Sequence, residues 1–144
     1  MQHMAGEKPT APITTGDPYI DGTLSTLNDL ALQALSTSGE GRGPVFGTKV
    51  HFEFSTLVNG LGRTDLFTEQ SFSFSGLVAY GADGSIRTDV ILGKDSTRPV
   101  AIFDLKTGSA RLTQARADEI RARFPGFKGP IIGIYPQVCA KPPC

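Results

Sequence analysis

Val100-Ala101-Ile102-Phe103-Asp104-Leu105-Lys106-Thr107-Gly108 is the stretch around which the rest of this chain can be read. Its four leading apolar residues suit a strand buried on both faces. A carboxylate, a leucine and an ammonium follow. Side chains two apart in a strand share a face, so Asp104 and Lys106 point the same way at the end of a core strand. Charges in that position are costly unless they are paired, solvated or metal-bound.

The segment just upstream, Ile86-Arg87-Thr88-Asp89-Val90-Ile91, also reads as a strand, and Gly93 to Pro99 reads as its return loop. A hairpin through that loop brings Asp89 beside Asp104. Two carboxylates held together repel unless a cation lies between them. A hard divalent ion, Mg²⁺ foremost with Mn²⁺ or Zn²⁺ as alternatives, takes oxygen ligands and keeps several waters. Such an ion lowers the pKa of bound water and offsets charge on a phosphodiester in flight. A neighbouring lysine orients that water or stabilises developing negative charge. The competing interpretation is a plain salt bridge at a strand end. Glu69, in Thr68-Glu69-Gln70-Ser71, is a further candidate ligand if residues 67–74 form the first strand; otherwise it is a surface charge.

Outward from this centre, Leu24, Leu27, Ala31 and Leu35 recur at helical spacing and predict a helix over 23–36. Val50, Phe54, Leu57, Val58 and Leu61 predict a second helix within 45–60. A lone His51 there reads as a hydrogen-bonded structural residue. Phe67, Phe72, Phe74, Val78 and Tyr80 suggest strands. Phe52, Phe54, Phe67, Phe72, Phe74 and Phe103 read as core, with base stacking open to any exposed pair. Thr113 is a candidate N-cap, followed by Ala117, Ile120 and Phe124 on one helical face, and Ile131 to Tyr135 is a last strand. The order is helix, helix, three strands, helix, strand, an α/β domain over 23–136. Residues 1–22 read as a flexible arm and 137–144 as a tail.

The chain has 144 residues, the size of one domain with a real core. No apolar run approaches the ~20 residues of a membrane span, and no signal-peptide pattern appears. The formal charge is zero, but residues 1–72 sum to −4 and residues 73–144 to +4. Six basic residues fall between Lys106 and Lys128. Arg111, Gln114 and Arg116 are candidate phosphate contacts, a task that suits arginine, or else exposed polar positions; Arg87, on the face of Asp89, is a candidate for binding phosphate or for pairing with a carboxylate. Cys139 and Cys144, spaced C-x4-C without nearby histidine, do not form a zinc motif; a small disulfide loop and two free thiols both stay open.

Asp89, then Asp104-Leu105-Lys106 after an apolar strand and before a basic helix, resembles the PD-(D/E)XK nuclease superfamily over residues 45–135, with Thr88 where that superfamily usually has proline. The finer pattern is Thr68-Glu69, Gly84-Ser85-Ile86-Arg87-Thr88-Asp89-Val90, and Asp104-Leu105-Lys106-Thr107-Gly108 with Arg111-Leu112-Thr113. It resembles the C-terminal nuclease domains of contact-dependent growth inhibition and polymorphic bacterial toxins. The resemblance implies a restriction-endonuclease-like core, a mixed central sheet flanked by helices. It implies Asp89 and Asp104 as metal ligands, Lys106 as the catalytic lysine and Glu69 as an additional upstream acid. It implies a metal-dependent endonuclease toxin, DNA favoured over RNA, neutralised by a cognate immunity protein and delivered as part of a larger secreted or cell-surface toxin to act in the target-cell cytoplasm. An RNase or tRNase of the same fold and a non-catalytic nucleic-acid or protein binding module are the alternatives.

Overall fold

A computed structural model describes residues 14–39, 41 and 43–136. Residues 1–13 of the expected arm and the whole expected tail, with Cys139 and Cys144, lie outside the described residues. The first helix, α1 (Pro18–Thr37), begins where the Asp17 carboxylate accepts the Tyr19 N–H at 2.9 Å and Pro18 supplies a preset φ. This cap starts the helix five residues before the expected start at 23, with Ile20 extending the apolar stripe, so residues 18–22 are helical rather than part of an arm. Ile20, Leu24, Leu27, Ala31 and Ala34 form its buried stripe, and Val50, Phe54 and Val58 form that of α2 (Gly43–Gly60). Each large apolar side chain removed from water in this way contributes about 1.5–3 kcal/mol.

The sheet holds β1 (Leu66–Ser73), β2 (Gly76–Val78), β3 (Ile86–Gly93), β4 (Pro99–Leu105) and β5 (Ile131–Ile134), in the spatial order β2-β1-β3-β4-β5. Neighbours are antiparallel except β4 and β5, which run parallel with α3 (Gln114–Ala122) between them in the chain. The expected α/β order therefore gains one strand: β2 is a three-residue edge, folded back on β1 through a turn at Phe74 and Ser75. The turn closes with Gly76 at φ 116°, a value that L side chains rarely adopt.

Helices cover both faces. α1 and α2 pack with Leu66, Val90, Leu92, Ala101, Phe103, Leu105, Ile132 and Ile134. On the opposite face Ala117, Ile120 and Phe124 pack with Phe72, Ile86, Ile91, Ile102 and Ile131. α3 starts as its cap predicts, the Thr113 hydroxyl accepting the Arg116 N–H at 3.1 Å. Near the start of β5 the chain passes so close to β4 that a Cβ on Gly129 would collide with the Val100 carbonyl. Two phenylalanines expected in the core are instead exposed, Phe52 at 64% and Phe74 at 68%. Phe52 sits about 200° round α2 from Val50, opposite the buried stripe; Phe74 occupies the hairpin turn.

Candidate active site

β3 and β4 pair from Gly93↔Pro99 to Val90↔Phe103, and the ladder stops one step short of Asp89 and Asp104. The Asp89 carboxylate takes the place of the next rung: Oδ2 accepts the Leu105 N–H at 2.7 Å. The carboxylate thus lies in the gap between the strands. From the α2 side, His51 Nδ1 reaches Asp89 Oδ1 at 3.1 Å. Asp104, at 2% exposed, has Lys106 Nζ 3.1 Å from Oδ2 and the Arg116 guanidinium 3.9 Å from Oδ1. The lysine contact lacks hydrogen-bond geometry, so the buried Oδ2 makes an ion pair but no hydrogen bond. These groups line one open cleft of about 490 Å³ at the C-terminal end of β4. Its far wall is the N-terminal half of α2, where Gly47 lets the helix approach the β4–α3 loop: an added Cβ would stand 3.2 Å from the Thr107 hydroxyl.

The electrostatics divide the two aspartates. Burial and the neighbouring Asp89 charge push Asp104 up to about 6, against the pull of Lys106 and Arg116. Burial would raise Asp89 too, but the His51 hydrogen bond and charge and the bonds from Asp104 and the Leu105 amide outweigh it, and Asp89 stays below the usual carboxylate range. Burial lowers His51, yet its bond to Asp89 and the attraction of both carboxylates leave it raised. Two carboxyls pushed apart by burial and by specific neighbours, at the wall of a cleft, make this a candidate functional site.

The hairpin places Asp89, Asp104 and Lys106 together, and Arg87 from β3 and Arg116 from α3 line the same cleft. Arg116 also donates to the Arg87 carbonyl at 2.9 Å, tying α3 to β3. Three other candidates stand elsewhere. Glu69 has φ 52°, interrupts β1 and turns to Arg87, 3.8 Å away, without lining the cleft. Gln114 is engaged with Asp118 at 2.8 Å, and Arg111 lies over the Tyr135 ring while donating to the Ala110 carbonyl. His51 and Tyr80 are among the cleft residues that sequence reasoning did not assign to the site. The signal for His51 was its place next to Val50, at the margin of the buried stripe.

Among the described residues no three His, Cys, Asp or Glu side chains form a ready metal cage. Mg²⁺, however, needs only one or two carboxylates when it keeps waters and meets a substrate phosphate. Asp89, Asp104 and the unbonded Asp104 Oδ2 fit that requirement. Known protein families, curated proteins and solved structures give no match to this chain.

Proposed function

We propose that this domain is a metal-dependent nuclease that hydrolyses phosphodiester bonds, with DNA favoured over RNA. The observation that carries the reading is the meeting of Asp89, Asp104 and Lys106 at the broken end of the β3–β4 ladder, with one carboxylate oxygen buried and unbonded. The helices on both faces of a mixed sheet agree with the restriction-endonuclease-like core that the motif implies. Asp89 and Asp104 would hold a divalent ion, which when bound supplies a Lewis acid and a more acidic water. His51 fixes the Asp89 carboxylate and keeps it ionised. Lys106, on the same face as Asp104, places positive charge where the phosphorane develops its own negative charge. Arg116 and Arg87 bind the flanking phosphate oxygens, for which the guanidinium fork is suited. Delivery as the end of a larger toxin, action in the target-cell cytoplasm and neutralisation by an immunity protein are part of the same proposal and rest on the motif resemblance.

The test is incubation of plasmid DNA and total RNA with the protein plus Mg²⁺ or Mn²⁺, against an EDTA control. Degradation that disappears in EDTA and in Asp104→Ala is expected. Intact DNA and RNA with every metal tried would overturn the proposal and leave a binding module.

A further inference from the structure

A row of arginine–aromatic pairs leads away from the cleft along the β1–β2–β3 end of the sheet. Arg87 lies over the Tyr80 ring, 4.8 Å from its centroid, and Arg123 lies over the Phe74 ring at 4.2 Å. Tyr80 stays 76% exposed and lines the cleft. Phe74 and Leu77, on the β2 turn and strand, are exposed as well. α3 holds this row in place: Arg116 donates to the Arg87 carbonyl and Arg123 to the Gly84 carbonyl, each at 2.9 Å. Seven residues separate the two arginines, so they share a helix face about 10 Å apart. Exposed rings with a cation against one face and water against the other offer a flat apolar platform inside a field of positive charge. Water is poor company for such surface, and a nucleobase is a good partner for it.

We infer that Tyr80, with Phe74 beyond it, stacks the unpaired bases of a single-stranded polynucleotide whose phosphates are held by Arg87, Arg116 and Arg123. The inference rests on the nuclease reading and deepens it, because it makes single-stranded or frayed nucleic acid the substrate class. Duplex DNA stacks the faces of its bases on one another and presents to these rings only its sugar–phosphate backbone and base edges. A single strand offers both groups, and stacking is tolerant of sequence because every base has a π-face. Tyr80 at the cleft edge would set the position of the strand, and the phosphate beside the stacked base would fall near Lys106.

The chain contains no tryptophan, so Tyr80→Trp creates a lone emitter at the platform. The full chain carrying this substitution is titrated in EDTA, where no cleavage interferes. The probes are a 12-nucleotide thymidine strand, a uridine strand, an abasic strand of equal charge and a duplex of equal length. Emission is expected to be quenched by the thymidine and uridine strands and not by the abasic strand, with the duplex binding more weakly. In anisotropy titrations Tyr80→Ala should weaken single-strand binding about tenfold, and Tyr80→Phe should restore it. Equal binding of abasic and base-bearing strands, or unchanged affinity in Tyr80→Ala, would overturn the platform even if the protein cuts DNA. Base-dependent quenching by a protein that cuts nothing would keep the platform and remove the nuclease.

Discussion

Asparagine at position 104 should stabilise this protein at alkaline pH while removing its activity. The Asp104 carboxyl, ordinarily near 3.8, is raised to about 6 by burial and by Asp89. Between those two values the folded chain keeps a proton that the unfolded chain has released, so stability falls as pH rises through 6. Each tenfold difference in proton affinity corresponds to about 1.4 kcal/mol, and ionised Asp104 therefore costs the fold about 3 kcal/mol at pH 8. Asp104→Asn removes the charge and keeps an amide that can donate to Asp89 as the protonated acid does. The attraction of Lys106, 3.1 Å away, is already contained in that value, and the amide fits the site less closely than the acid. The net gain is then about 1–3 kcal/mol, which raises the melting temperature by about 3–10 °C. Thermal unfolding followed by circular dichroism in EDTA, at pH 4.5 and pH 8, measures it. The variant's advantage should be about 2 kcal/mol smaller at pH 4.5, where only the unfolded chain has released its proton, than at pH 8, where the folded chain has released it as well. A variant that melts lower at pH 8, or a difference equal at both pH values, would refute the reasoning and make the Lys106 and Arg116 contacts dominant.

Lys106→Met should lower cleavage about 10²–10³-fold while leaving the Mg²⁺-dependent rise in melting temperature intact, since lysine acts on the developing charge and the carboxylates hold the ion; loss of both would assign Lys106 to metal binding. His51→Ala removes the imidazole that pairs with Asp89 and should cost about 1.5–3 kcal/mol below pH 6. Because His51 is raised in the folded state, that contribution is full below 6.5 and fades as pH rises through the folded value, so urea unfolding at pH 5.5 and pH 8 should show the larger loss at pH 5.5. Glu69→Gly should stabilise by about 1 kcal/mol by relieving φ 52° in a residue with a side chain. Its cleavage rate should match the parent, and a large drop would return Glu69 to the site.

The sheet centre and the carboxylate pair were legible in the sequence because both depend on short-range rules. Alternation along Val100–Lys106 fixes which side chains share a face, and the loop between Gly93 and Pro99 leaves β3 little choice but to return beside β4. Helix positions were legible as stripes, but reading Phe52 as core followed its hydrophobicity and not its place opposite the stripe through Val50 and Phe54. What could not be read was anything set by the meeting of distant elements. Nothing in α2 says which end of the sheet it lies across, so the partner of His51 was hidden. The course of β1 failed at Glu69 because a positive φ in a residue with a side chain leaves no mark in composition. The early start of α1 was half legible: Ile20, four residues before Leu24, continues the apolar stripe, and the Asp17 cap carries the helix back to Pro18.

The interruption at Glu69 has its counterpart across the ladder. β1 and β3 pair on either side of positions 69 and 89 but not at them. Leu66 and Val90 pack under α1 and α2, whereas Phe72 and Ile86 pack under α3. In an unbroken strand those even-numbered positions would share a side. Both strands therefore roll over at the same place, and the sheet is two plates joined along a crease. One plate carries β4, β5 and Asp104; the other carries the β2 flap and the Arg87 region, and Asp89 stands on the fold line itself. Asp89 belongs to β3 by its backbone and to β4 by its carboxylate, so its bond to the Leu105 amide is what sets the spacing of the two acids across the crease.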